Sequence, residues 1–217
     1  LRVAFLGSGE FGVPTLEALG AAHDVVLVIS QPDRPAGRGR RSAATPISAR
    51  VLEDQSPADG LFAKTALVRT DDVNAPAVLS QIADLQIEAM VVIAFGQKLG
   101  ATLLDGRFAV NLHASLLPRW RGAAPINRAM MAGDLETGVS VISLAERMDA
   151  GEVHAMRSTP IDPAETAGEL HDRLARLGVE PVLEVLDRWR DRLVKSVTQD
   201  ELAATPAAKL SKSEDTV

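Results

Sequence analysis

Cysteine is missing from all 217 residues, which excludes disulfides and thiolate metal sites and fits a reducing compartment. No run of 18 or more apolar residues occurs, so no segment reads as a membrane-spanning helix. The first apolar segment, Val3 to Leu6, is far too short for a secretory signal. The spacings H-x-x-x-H and H-x-H are absent, so no metal is expected. Positive charge is in deficit: 23 Lys and Arg stand against 29 Asp and Glu, a net charge of −6. That balance argues against a general affinity for nucleic acid, although it leaves room for a local basic patch. Internal repeats are absent too. What is left is a soluble, cytoplasmic globular protein, 46% apolar and 24% charged, able to bury a core as one large α/β domain. The chain opens on Leu1 without a Met and closes on the polar K-L-S-K-S-E-D-T-V, which reads as a piece of something longer.

Along the chain, Arg2 to Leu6 predicts a strand that stops at Gly7-Ser8-Gly9 and leads into a helix over Phe11 to Leu19, with Pro14 in its first turn. Val25 to Ile29 is a continuous β-branched run, as in a strand covered on both faces. The opening unit is therefore βαβ. Gln31 to Thr45 holds four Arg against one acid, without periodicity, and predicts an exposed loop. A short helix from Pro46, a weak strand near Leu61 to Ala63, and a helix over Val73 to Asp84 capped by Asn74 follow. Ala89 to Phe95 is the most apolar strand and Phe108 to Leu112 the next. Ala124 to Ala132 predicts a helix ended by Gly133, and Gly138 to Leu144 an edge strand paired with Glu152 to Thr159. Thr166 to Leu193 repeats apolar residues near the helical period and is expected to break at Gly178 and Pro181.

Three features carry chemistry. Gly7-Ser8-Gly9-Glu10-Phe11-Gly12 is a G-x-G-x-x-G between strand and helix, with Asp33 after the second strand, which by pattern suggests an NAD-linked oxidoreductase; the alternative is a turn of small residues serving close packing. Arg34, Arg38, Arg40 and Arg41 make the loop after the second strand positive, at the end of the sheet where α/β folds bind ligands; Trp120 between Arg119 and Arg121 offers a stacking surface. Asn111 and His113, two residues apart on a strand, point the same way, so an amide and an imidazole converge. Asp149 in M-D-A-G adds a carboxylate in a turn. Amide and imidazolium suit a developing oxyanion, and the carboxylate suits holding the imidazole charged and taking a proton from an amine.

The segments N-L-H-A-S-L-L-P-R-W-R-G-A-A-P-I (Asn111 to Ile126), G-D-L-E-T-G-V-S (Gly133 to Ser140) and M-D-A-G-E (Met148 to Glu152) resemble those of the 10-formyltetrahydrofolate-dependent formyltransferases. Q-P-D-R-P-A-G-R-G (Gln31 to Gly39) narrows the resemblance to the branch that formylates the methionine of initiator tRNA, and the likeness runs from Arg2 through Lys212. It implies a Rossmann-like fold with a mostly parallel central sheet and helices on both faces, with no nucleotide at the G-x-G-x-x-G turn. It implies formyl transfer from 10-formyltetrahydrofolate to the α-amine of methionyl initiator tRNA for translation initiation, with Asn111, His113 and Asp149 catalytic. Ser115, Leu116, Leu117 and Pro118 would border the folate; Arg38, Arg40 and Arg41 would reach the tRNA. A monomer without metal is expected, with residues 1–206 as the catalytic domain and 207–217 as a linker toward a C-terminal β-barrel domain absent from this chain. A sibling that formylates an amino-sugar nucleotide with the same three residues is the nearest alternative. Phe95, Gly100 and Ala150 depart from the usual Tyr, Pro and Thr of these enzymes.

Overall fold

The computed structural model describes residues 1–36, 41–55, 59–211 and 214. The chain divides into two compact units, Leu1–Val110 and Asn111–Val217. In the first, strands β1 (Arg2–Gly7), β2 (Asp24–Ser30), β5 (Ala66–Arg69) and β6 (Ala89–Ile93) are all parallel, with β1 between β6 and β2, and β5 outside β2. Helices α1 (Val13–Ala22), α2 (Pro46–Gln55), α3 (Pro76–Ala83) and α4 (Ala101–Leu104) alternate with them. Strand β7 (Phe108–His113) crosses the boundary between the two units. The second unit adds β9 (Glu136–Ser143) antiparallel to β10 (Val153–Pro160), helices α5 (Pro125–Met131), α6 (Ala167–Leu177) and α7 (Val179–Arg190), and a short parallel pair, β8 (Arg121–Gly122) with β11 (Pro206–Ala207). This is the α/β, mostly parallel architecture that the sequence predicts.

The long apolar runs are the core. Val3 to Leu6 in β1 and Ala89 to Ile93 in β6 are buried throughout, as strands covered on both faces must be. Phe5 is fully buried against the G-x-G-x-x-G turn: a Cβ on Gly7 would stand 2.6 Å from the Phe5 ring and 2.7 Å from the Ile93 carbonyl oxygen, and one on Gly12 2.9 Å from the same ring. Close packing thus accounts for these glycines. Asp33, the other half of the dinucleotide pattern, accepts two hydrogen bonds from Arg69 at 2.8 and 2.9 Å.

Several local expectations need correction. The Arg-rich segment holds a hairpin, β3 (Arg34–Ala36) against β4 (Arg41–Ala43), too short to show a period of two; Arg38 and Arg40 lie outside the described residues. Leu61 to Ala63 is a turn, not a strand, because Phe62 is drawn down against Gly20 and under the Arg50 guanidinium, 5.6 Å above its ring. Asn74 does not cap α3, whose N-cap is Ala75; its side chain instead accepts from Gly100 N–H at 2.7 Å and donates to the Lys98 carbonyl at 2.9 Å. The edge strand is β10, and β9 lies inside it. The break between α6 and α7 falls at Gly178, and α6 opens on a capping box in which Thr166 and Glu169 satisfy each other's backbone N–H groups.

Phe5→Ala removes the ring around which the first turn closes. It is expected to cost about 3 to 5 kcal/mol of stability, read from urea unfolding of the purified variant.

Candidate active site

Strand β7 carries the first two candidates. Along it Val110 and Leu112 are buried on one side, while Asn111 and His113 share the other. His113 is only 6% exposed, and both its ring nitrogens face oxygens: Nε2 is 2.8 Å from the Trp120 carbonyl and Nδ1 is 3.5 Å from Asp149 Oδ2. The same Oδ2 accepts the Gly122 N–H at 2.9 Å. Among the described residues, the Asn111 amide has no hydrogen-bond partner, so its donors are available to a ligand. The structure therefore brings His113 and Asp149 together and sets Asn111 on the face of His113.

The segment after β7 is fastened from within. Ser115, fully buried, donates its hydroxyl to the Arg119 carbonyl at 2.6 Å. Its own carbonyl accepts from the Ser140 hydroxyl at 2.7 Å, and that hydroxyl accepts the Leu117 N–H at 3.1 Å. Leu117 is buried and Pro118 partly so. Leu116 instead borders a cavity of about 280 Å³ formed with Arg119, Trp120, Asp134, Leu135, Glu136 and Thr137.

Trp120 takes a left-handed backbone, φ 63°, which costs a non-glycine residue on the order of 1 kcal/mol and so needs support. That support is local. Its N–H donates to Thr205 Oγ1 at 2.8 Å, and its indole N–H to Asp134 Oδ2 at 2.8 Å, while Arg119 stacks on the ring and pairs with the other Asp134 oxygen. The indole is thus engaged on its face and its edge by protein. Arg121 is also engaged: its side chain is 9% exposed and donates to Gln199 Oε1 and to both Glu201 carboxylate oxygens. At Gly122 the backbone has φ 131°, and a Cβ would sit 2.6 Å from the Ala207 carbonyl oxygen, so only glycine fits between β8 and β11.

Asp149 itself is left-handed, φ 52°, a conformation that Asp tolerates better than most residues. Its turn is gripped by Gln199, whose side-chain amide nitrogen donates to the Asp149 carbonyl at 2.8 Å and to the Gly151 carbonyl at 2.6 Å. Gly151 has no room for a side chain, since a Cβ would stand 1.7 Å from the Ser143 carbonyl oxygen. Gln199, Glu201 and Thr205 are missing from the sequence-based candidates. They lie after α7 in a segment without periodicity, and their role depends on partners 48 or more residues away. Of the tRNA candidates, Arg41 begins β4, and Arg38 and Arg40 lie outside the described residues. No group of three or more His, Asp or Glu suited to a metal ion occurs among the described residues.

Residues 1–186 match the formyl transferase family. Methionyl-tRNA formyltransferase of Roseobacter denitrificans is 44% identical over 218 residues, covering 99% of this chain and 68% of that protein. The chain belongs to the methionyl-tRNA formyltransferases. The enzyme of the same name from Moorella thermoacetica is 41% identical, with 100% of this chain and 68% of that protein covered, so the chain spans about two thirds of the relatives' length. The fold is also that of the N-formyltransferase from Helicobacter canadensis, whose crystal structure holds folinic acid and dTDP-3-aminofucose. That likeness has a TM-score of 0.68 at 17% identity and covers 95% of this chain and 70% of that one. Membership of this family removes the oxidoreductase reading of the glycine turn. The segment that grips the site, Gln199 to Ala207, lies beyond the residues matched to the family.

Glu201, between Arg121 and Arg147, is held below the usual carboxylate range, first by its hydrogen bonds from Arg121 and then by those from Arg147. A lowered folded value means stabilisation that is present above the ordinary carboxylate range and lost as pH falls through the lowered value. Urea midpoints at pH 7 and pH 3 are therefore expected to lie closer together in Glu201→Gln than in the wild type.

Proposed function

We propose that this chain transfers a formyl group from 10-formyltetrahydrofolate to the α-amine of methionine on initiator tRNA, with Asn111, His113 and Asp149 as its catalytic residues. The observation that carries the reading is the Asp149 carboxylate oxygen that faces both His113 Nδ1 and the Gly122 N–H. The Trp120 carbonyl only accepts, so His113 Nε2 carries a proton; Nδ1 in turn faces a carboxylate. In the proposed mechanism the ring acts as the doubly protonated imidazolium, donating from Nε2 to Trp120 and presenting an Nδ1–H toward Asp149. At 3.5 Å the Nδ1 contact is longer than a full hydrogen bond, which leaves that N–H free to be shared with an oxygen on the substrate.

In this reading the Asn111 amide and the imidazolium stabilise negative charge on the formyl oxygen as the amine attacks. Asp149 holds the imidazolium charged and accepts the proton that the amine sheds. The folate is proposed to lie along Ser115 to Pro118. Since Ser115 and Leu117 are buried, the contact would fall to Leu116, Pro118 and the backbone. Arg38, Arg40 and Arg41 are proposed to meet the tRNA phosphates, which supplies the positive field that the net charge lacks. The catalytic domain, read from the sequence as residues 1–206, would extend through Ala207, which in β11 pairs with Gly122, and the residues after it would lead toward a C-terminal β-barrel domain, with the protein a cytoplasmic monomer. No described helix is long and apolar enough to cross a membrane.

Asn111→Ala is expected to lower kcat by a factor of roughly 10² to 10³, or about 3 to 4 kcal/mol, with folate affinity nearly unchanged. Near-normal turnover would remove Asn111 from the mechanism. Parallel assays with methionyl-tRNA and an amino-sugar nucleotide as acceptors are expected to give product only with the tRNA.

Neutral replacements of Arg38, Arg40 and Arg41 together should weaken tRNA binding and flatten its dependence on salt, because fewer counterions are released. An unchanged slope would assign the loop to plain solvated surface.

A further inference from the structure

Gln199 is 7% exposed and uses its whole amide. Two donor hydrogens go to the carbonyls of Asp149 and Gly151, and the oxygen accepts twice from Arg121, at 3.0 and 2.8 Å. A carboxamide holds two donors and two acceptor lone pairs, so nothing on this side chain is left unpaired. The contacts close a ring. From Gln199 the path runs to the Asp149 turn, through the Asp149 carboxylate to the Gly122 N–H, along the backbone to Arg121, and back to Gln199. The left-handed backbone of Asp149 is costly without outside support, and within this ring the support comes from Gln199.

We propose that Gln199 is a positioning residue for formyl transfer, setting the Asp149 carboxylate against His113 through the carbonyls of the Met148–Gly151 turn. The inference rests on the reading of Asp149 given above. It brings one side chain from beyond α7 to the support of the active site.

The test uses Gln199→Met, which removes both ends of the amide, and Gln199→Glu, which keeps the volume and the acceptor for Arg121 but cannot donate to the two carbonyls. A misplacement of about 1 Å costs on the order of 10² in rate, so kcat should fall 10- to 100-fold in each while KM for the folate donor stays within about twofold. The kcat–pH profile should move in both, because the His113–Asp149 contact is loosened. Combined with Asp149→Asn, Gln199→Met should reduce kcat by less than about twofold further, since the two act through one carboxylate. Leu202→Ala, on the same segment but 98% exposed, should keep the wild-type rate. Should Gln199→Met melt below the assay temperature, Gln199→Glu is the variant to read. Wild-type kcat and pH profile in a folded Gln199 variant, or fully multiplicative losses with Asp149→Asn, would overturn the inference, while an Asp149→Asn that is strongly impaired but still measurable keeps the catalytic reading. Wild-type turnover in Asp149→Asn would overturn both.

Discussion

One carboxylate oxygen governs the arrangement. Asp149 Oδ2 receives the Gly122 N–H at 2.9 Å and faces His113 Nδ1 at 3.5 Å, so the strand that ends at His113, the β8 segment and the Met148–Gly151 turn meet at a single atom. Each of the three presents backbone or side chain that the other two need. The glycines follow from that convergence: Gly122 and Gly151 stand where a Cβ would strike the Ala207 and Ser143 carbonyl oxygens. Their absence of side chain is what lets the loops close on the carboxylate.

The surroundings of this atom are polar yet well satisfied. Ser115, Ser140, Arg121, Gln199 and Asp134 all spend hydrogen bonds on partners within the protein, which is how a site with two left-handed non-glycine residues, Trp120 and Asp149, is held in one conformation. An unmet buried polar group costs more than a met one gains, so these networks specify geometry more than they add stability. At this site the Asn111 amide, by contrast, has no hydrogen-bond partner among the described residues.

The architecture was largely legible because the strands of the first unit are unbroken apolar runs, and Val3 to Leu6 or Ala89 to Ile93 admits little else. The pair Asn111 and His113 could be read from spacing alone, since two residues on a strand share a face; Asp149 could be read as a carboxylate in a turn, but nothing in the spacing places it beside His113. The contacts that hold Asp149 were not readable. Gln199 and Thr205 sit in a stretch with no period, and β8, β11, β3 and β4 are two or three residues long, below the length at which alternation exists. Trp120 illustrates the opposite error: its place between Arg119 and Arg121 suggested a stacking surface, whereas the fold covers its face with Arg119 and ties its indole N–H to Asp134.

The pairing of Pro206–Ala207 with Arg121–Gly122 also orders events in time. Because a polypeptide emerges from the ribosome amino end first, the loops bearing Trp120 and Asp149 are exposed to solvent for some 50 to 85 further residues before Gln199 and Thr205 can reach them. A nascent chain that has not yet reached Gln199 therefore carries Asn111, His113 and Asp149 without the contacts that hold the Asp149 turn, and those contacts form only when the segment after α7 threads back onto its own earlier turns.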